Sequence, residues 1–281
     1  MSWQEWKEYN LERQFNPRTA LGEKTDEVLA SWNSKSMVAR SQLTGTFDIA
    51  YGEHPLMGFD YHPGAAHKPI IINIHGGYWR GLDKSAMQHH MADLARSAFS
   101  IVNLNYPLCP EMSLTDILKA LGQALEIIVD LIMQDIPNPR FVLCGHSAGA
   151  HLVAHLSHHH RLKDKLCGVV ALTGIYETEV VRHITVNDEI KMTPEEATRW
   201  CVIGNLPVSG PEYYIAVGAE EPSGWIDQSW QLAESLSNRG DCLKFRVVQS
   251  ANHFDLVDRL CDPDTLDVFQ LHQWIFNLTK S

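Results

Sequence analysis

Gly145-His146-Ser147-Ala148-Gly149 sets a serine between two glycines directly after the apolar run Phe141-Val142-Leu143-Cys144. A strand that turns sharply into a helix leaves little room for flanking side chains, so glycines there let the backbone close and lift the Ser147 hydroxyl clear of the turn. A serine hydroxyl is a poor nucleophile near neutral pH. It needs a histidine to take its proton and an acid to hold that histidine in the right tautomer. When such a turn sits in a sheet wound with helices, the order along the chain is nucleophile, acid, histidine. Of the 15 histidines, His253 alone lies just after the last predicted strand, in Ser250-Ala251-Asn252-His253-Phe254-Asp255, a loop. The acid is expected after the strand Tyr213 to Gly218, where Glu220, Glu221 and, further on, Asp227 are the candidates. Glu221 sits three residues past Gly218 in a loop that can reach His253, whereas Asp227 falls inside a predicted helix. Glu220 remains open beside it.

Acyl transfer also builds negative charge on the carbonyl oxygen, and each pre-aimed backbone N–H is worth about 3 to 4 kcal/mol to that oxyanion. The Ala148 N–H at the start of the elbow helix is one donor. The loop His75-Gly76-Gly77-Tyr78-Trp79 offers others, from Gly76 or Gly77, because glycines let the backbone approach a substrate closely. Tyr78, Trp79 and Phe254 are candidates to line an aromatic pocket.

The elements needed to hold these groups read as one α/β domain over residues 1–281, its 44% apolar content being enough for a full core. From about Phe47, short apolar runs alternate with helical patterns, as in a mostly parallel sheet covered on both faces. Strands are expected over Pro69 to Ile74, Phe99 to Leu104, Phe141 to Cys144, Leu166 to Thr173, Tyr213 to Gly218 and Leu243 to Val248. Helices are expected over Lys84 to Ala98, from Ser113 to Ile132 with a Ser113/Asp116 cap, after the elbow to Leu156, over Trp225 to Leu236 and over Thr265 to Leu278. Residues 1–46 read as helical N-terminal decoration. Residues 175–212 are too long for a simple connection and are expected to fold over the strand ends as a cap.

The net charge of -11 disfavours nucleic acid or an anionic membrane as partner. No stretch has membrane-spanning length, and Met1-Ser2-Trp3-Gln4-Glu5-Trp6-Lys7 is neither a secretory signal nor a transit peptide. The scattered cysteines at 109, 144, 167, 201, 242 and 261 read as free thiols. Together these give a cytoplasmic protein acting on a small molecule, with a homodimer left open. His151 and His155 have the i,i+4 spacing of a zinc pair, but no H-E-x-x-H glutamate accompanies them, so no metal is expected. His151 is read as a core residue near the elbow, and His158 to His160 as a polar helix end. Gly76-Gly77 is not part of a phosphate-binding G-x-x-x-x-G-K loop, and no cofactor is expected.

His75-Gly76-Gly77-Tyr78-Trp79, Cys144 to Leu152 and Asn252-His253-Phe254-Asp255 together resemble the arylformamidases (kynurenine formamidases) of the α/β-hydrolase superfamily. Tyr9 and Phe15-Asn16-Pro17-Arg18 also look like that family's N-terminal segment. The resemblance implies a Ser147–His253–Glu221 triad and cleavage of N-formyl-L-kynurenine to L-kynurenine and formate, without cofactor. The family usually has aspartate at the acid position, so Glu221 departs by one methylene. A broad carboxylesterase using the same triad is the alternative, and a non-catalytic ligand-binding protein a more distant one.

Overall fold

The computed structural model describes residues 3–206, 210–241 and 243–278. Four helices lead into the sheet: α1 (Trp3–Trp6), α2 (Leu11–Phe15), α3 (Pro17–Leu21) and α4 (Lys24–Gln42). The strands are β1 (Thr46–Ala50), β2 (Gly58–His62), β3 (Ile70–Ile74), β4 (Ser100–Leu104), β5 (Phe141–His146), β6 (Leu166–Leu172), β7 (Glu212–Gly218) and β8 (Leu243–Val248). Interleaved with them are α5 (His89–Arg96), α6 (Leu114–Asp135), α7 (Ala148–Leu156), α8 (Asn187–Ile190), α9 (Pro194–Trp200), α10 (Ser223–Asn238), α11 (Asp255–Arg259) and α12 (Leu266–Asn277).

The strands form a single eight-stranded sheet in the order β1-β2-β4-β3-β5-β6-β7-β8. β2 runs antiparallel to both its neighbours, and the strands from β4 through β8 are parallel. The period-two alternation of a strand explains why β3 and β5 are apolar throughout. Ile70, Ile72, Ile74, Phe141 and Leu143 face the side covered by α6, α7 and α10, while Ile71, Val142 and Cys144 face α5 and α12. Helix α6 buries Ile117, Leu121, Ala124, Leu125, Ile128 and Ile132 on one stripe, and Ser113 Oγ caps it by accepting the Asp116 N–H at 3.2 Å. Six parallel strands thus end on the same edge, and the loops leaving β3, β5, β6, β7 and β8 meet there.

The Lys84 to Ala98 pattern does not form one helix. Asp83 caps a short 3₁₀ turn over Lys84–Met87, and α5 then starts afresh where Ser36 Oγ of α4 accepts the His89 N–H at 3.2 Å. It stops at Ala98, whose φ of 61° is left-handed without the glycine that would announce it.

The N-terminal helices are tied over the sheet edge. Tyr78 Oη donates to the Phe15 carbonyl at 2.6 Å, Gln14 Oε1 accepts from the Gly224 N–H at 3.0 Å, and the Trp6 indole donates to Asp227 at 3.0 Å. A Cβ on Gly224 would lie 2.6 Å from the Phe15 ring, so only glycine lets Phe15 seat. Residues of the 175–212 insertion hold this segment from the other side: the Glu12 carboxylate accepts from the Thr185 N–H at 2.9 Å and the Thr185 hydroxyl at 2.6 Å. Among the described residues, no helix is long and apolar enough to cross a membrane. Cys109, Cys144, Cys167, Cys201 and Cys261 are free, and Cys242 lies outside the described residues.

Candidate active site

Ser147 sits between β5 and α7 with φ 55° and ψ −121°, a conformation costly for any residue with a Cβ and held here by its surroundings. The flanking glycines make it attainable. A Cβ at Gly145 would come within 2.3 Å of the Gly149 carbonyl, and one at Gly149 within 2.1 Å of the Ile74 carbonyl, so helix and strands touch backbone to backbone. The Ser147 N–H is spent on the Leu172 carbonyl at 2.9 Å, and the Ala148 N–H, in the first turn of α7, has no intrahelical partner.

His253 arrives on the loop after β8. Asn252 folds that loop, its side-chain oxygen accepting the Phe254 and Asp255 N–H groups at 2.9 and 3.2 Å. The neighbouring loop after β7 packs against it because Gly218 has no Cβ, which would meet the Ala251 carbonyl at 2.2 Å. The result is a continuous hydrogen-bonded chain. Ser147 Oγ lies 3.0 Å from His253 Nε2, and His253 Nδ1 lies 2.9 Å from Glu221 Oε2. The Glu221 side chain is fully buried and also accepts the Gly218 N–H at 2.9 Å and the Thr173 hydroxyl at 2.5 Å. Glu220 is exposed, and Asp227 anchors Trp6 instead.

The loop after β3 is shaped by three successive left-handed residues, Gly77 at 105°, Tyr78 at 54° and Trp79 at 57°. Its carbonyls are tied back. Tyr106 Oη donates to the His75 and Gly76 carbonyls at 3.0 and 3.3 Å, and His75 Nδ1 lies 2.8 Å from the Gly76 carbonyl. Among the described residues the Gly77 and Tyr78 N–H groups have no hydrogen-bond partner. Burial keeps His75 and His146 uncharged, pushing His75 below its usual value and His146 well below it. His146 Nε2 lies 2.8 Å from the His253 carbonyl, so it braces the histidine loop from beneath.

A cavity of about 230 Å³ opens on Ser147 and His253. Gly77, Tyr78, His146 and Phe254 line it, together with Asn16, Pro17, Arg18, Leu29 and Trp32 from the N-terminal helices. Residues between Asn16 and Trp32 therefore form a wall of the site and are not decoration, and no described residue of the 175–212 insertion reaches the cavity. Trp79 is also absent from the lining. It is fully buried beneath the loop, edge-on to His151 at 5.0 Å. His151 and His155 both place Nε2 on the Trp200 carbonyl, at 2.7 and 2.9 Å, which tethers α7 to α9.

A family model described as BD-FAE matches residues 61–234, more than half of the chain. The chain belongs to the BD-FAE family. The fold is that of the α/β-hydrolases: esterase B of Lactobacillus rhamnosis superposes with a TM-score of 0.71 at 15% identity, covering 91% of this chain and 95% of that one. Over nearly its full length this BD-FAE member is also similar to the kynurenine formamidases of Danio rerio, 27% identical over 94% of this chain and 95% of the relative, and of Salmo salar, 26% identical over 92% and 94%. The likeness to arylformamidases thus extends well beyond the motifs. Two residues of this BD-FAE site escape motif reading. Thr173, at the end of β6, also lies 3.2 Å from His253 Nδ1 and has only its place after an apolar strand to mark it. Trp32 lies on α4, whose pattern gives no sign of facing a site.

Proposed function

We propose that the protein hydrolyses N-formyl-L-kynurenine to L-kynurenine and formate through a formyl-serine intermediate. The observation that carries this reading is the chain from Ser147 through His253 to Glu221 at the floor of an aromatic-walled cavity. About 230 Å³ exceeds the roughly 150 Å³ that accommodates benzene, which suits a substituted aromatic ring with a small acyl group. The similarity to kynurenine formamidases supports the choice of acyl group and leaving group.

In this mechanism Ser147 Oγ attacks the formyl carbon while His253 Nε2 takes its proton. The oxyanion is stabilised by the N–H groups of Ala148 and of the Gly76-Gly77-Tyr78 turn. The C–N bond then breaks, and His253 returns the proton to the aryl nitrogen, which leaves as the free amine. Water enters, gives a proton to His253 and attacks the formyl ester. Collapse hands that proton back to Ser147 Oγ and releases formic acid, which ionises. Glu221 stays ionised and holds the imidazolium that forms in each half-reaction.

Turnover of N-formyl-L-kynurenine against phenyl acetate tests the reading. Formamide cleavage at a kcat/KM at or above that of the ester is expected, and negligible formamide cleavage beside rapid ester turnover would make the protein a carboxylesterase. Ser147→Ala is expected to lower kcat by a factor on the order of 10⁴ to 10⁶ for both substrates.

A further inference from the structure

The cavity holds an unspent cation. Arg18 and Arg80 line it and no carboxylate does, in a protein whose net charge is -11. Arg80 is committed to an ion pair with Glu189. The Arg18 side chain has no ion pair or hydrogen bond among the described residues. Glu12, on the adjoining helix, is filled by Thr185 and by Asn16 Nδ2 at 2.5 Å, so it is not held by Arg18. The same wall carries Trp32, which is 1% exposed and whose indole N–H also lacks a partner. A guanidinium that has no protein partner, exposed at the rim of a cavity that carries no carboxylate, is matched by a planar anion, which it can bind through two parallel hydrogen bonds.

We infer that Arg18 selects substrates bearing a carboxylate on the tail of the aromatic leaving group, binding that carboxylate through its guanidinium. This rests on the formamidase reading for the identity of the substrate, but the preference for an anionic tail is a property of the cavity alone. Arg18 is thus a specificity residue that lies 129 positions before the nucleophile at 147.

The test compares the wild type, Arg18→Gln and Arg18→Lys on N-formyl-L-kynurenine and on ortho-formamidoacetophenone, which keeps the formanilide and ketone but lacks the charged tail. Arg18→Gln is expected to raise KM for N-formyl-L-kynurenine about 10- to 100-fold with kcat nearly unchanged. The uncharged analogue should respond by less than about twofold, and Arg18→Lys should recover part of the loss. An equal effect on both substrates, or none on N-formyl-L-kynurenine, overturns the assignment. A second pair, para-acetoxybenzoate and phenyl acetate, separates the two proposals. If neither formamide is cleaved but the wild type favours the anionic ester and Arg18→Gln does not, the formamidase reading falls and Arg18 keeps its role. If no such preference exists, Arg18 loses it.

Discussion

Glu221 accepts from three groups, the Gly218 N–H, the Thr173 hydroxyl and His253 Nδ1, while Glu220 beside it faces solvent. One residue of difference in the chain therefore separates a buried carboxylate bonded to His253 from a solvated one. Glu221→Gln keeps the shape but leaves the amide unable to hold the imidazolium, and kcat on N-formyl-L-kynurenine is expected to fall by about 10² to 10⁴-fold. Glu220→Gln should stay within about twofold, and the reverse ranking would transfer the role. The position of Glu221 was legible because loop placement after β7 confined the choice to a few carboxylates. The elbow was legible for a stronger reason: only glycine fits where backbones lie 2.1 to 2.3 Å from a Cβ site, so the sequence has no freedom there. Thr173 and Trp32 carry no such constraint, since a threonine at a strand end and a tryptophan in a helix occur wherever packing allows. Trp79 misleads for a related reason, because its neighbour Tyr78 reaches the cavity while Trp79 turns into the core.

At the scale of elements, the cavity depends on how α4 is fixed to the sheet. Arg40 of α4 and Lys84 of the 3₁₀ turn share the Asp60 carboxylate of β2, at 3.0 and 2.6 Å, and Asp60 is fully buried. Lys84 is itself nearly buried and reaches Asp48 of β1 at 2.6 Å. Asp60→Ala leaves Lys84 with Asp48 as its remaining carboxylate and Arg40 partly in water, so it is expected to destabilise the protein by about 1 to 3 kcal/mol. Urea unfolding should show a lower midpoint with an unchanged slope. A midpoint equal to that of the wild type would mean that the cluster does not hold α4. The parallel strands and α6 were readable from apolar periodicity alone. The path of α1 to α4 was not, because their anchors are isolated polar contacts to partners up to 223 positions away, which leave no local pattern. The mixed exposure of β1 and the brevity of α8 made those elements equally silent.

Across the whole molecule, buried histidines make stability depend on acidity. Burial lowers His90 to about 4, opposed by Asp258 and aided by His89 and Lys35, and lowers His155 to about 4 with the Trp200 carbonyl opposing and His158 aiding. His146 and His151 move the same way. Each is neutral in the folded chain at a pH where the unfolded chain, near 6.5, already binds a proton. The folded state is thus at full advantage above about pH 6.5 and loses up to about 3 kcal/mol per such histidine as pH falls toward 4. Urea midpoints measured between pH 7.5 and pH 4.5 should decline on acidification, and a flat profile would contradict neutral burial of these rings. The placement of Asn16, Pro17, Arg18 and Trp32 ahead of the entire sheet has a different consequence. Under the proposed function the reacting groups lie at Gly76 to Tyr78 and between positions 147 and 253, whereas five of the residues lining the cavity, Asn16, Pro17, Arg18, Leu29 and Trp32, come before the first strand. New substrate preferences can therefore evolve by substitution in that leading stretch while the bond-breaking apparatus downstream is inherited intact.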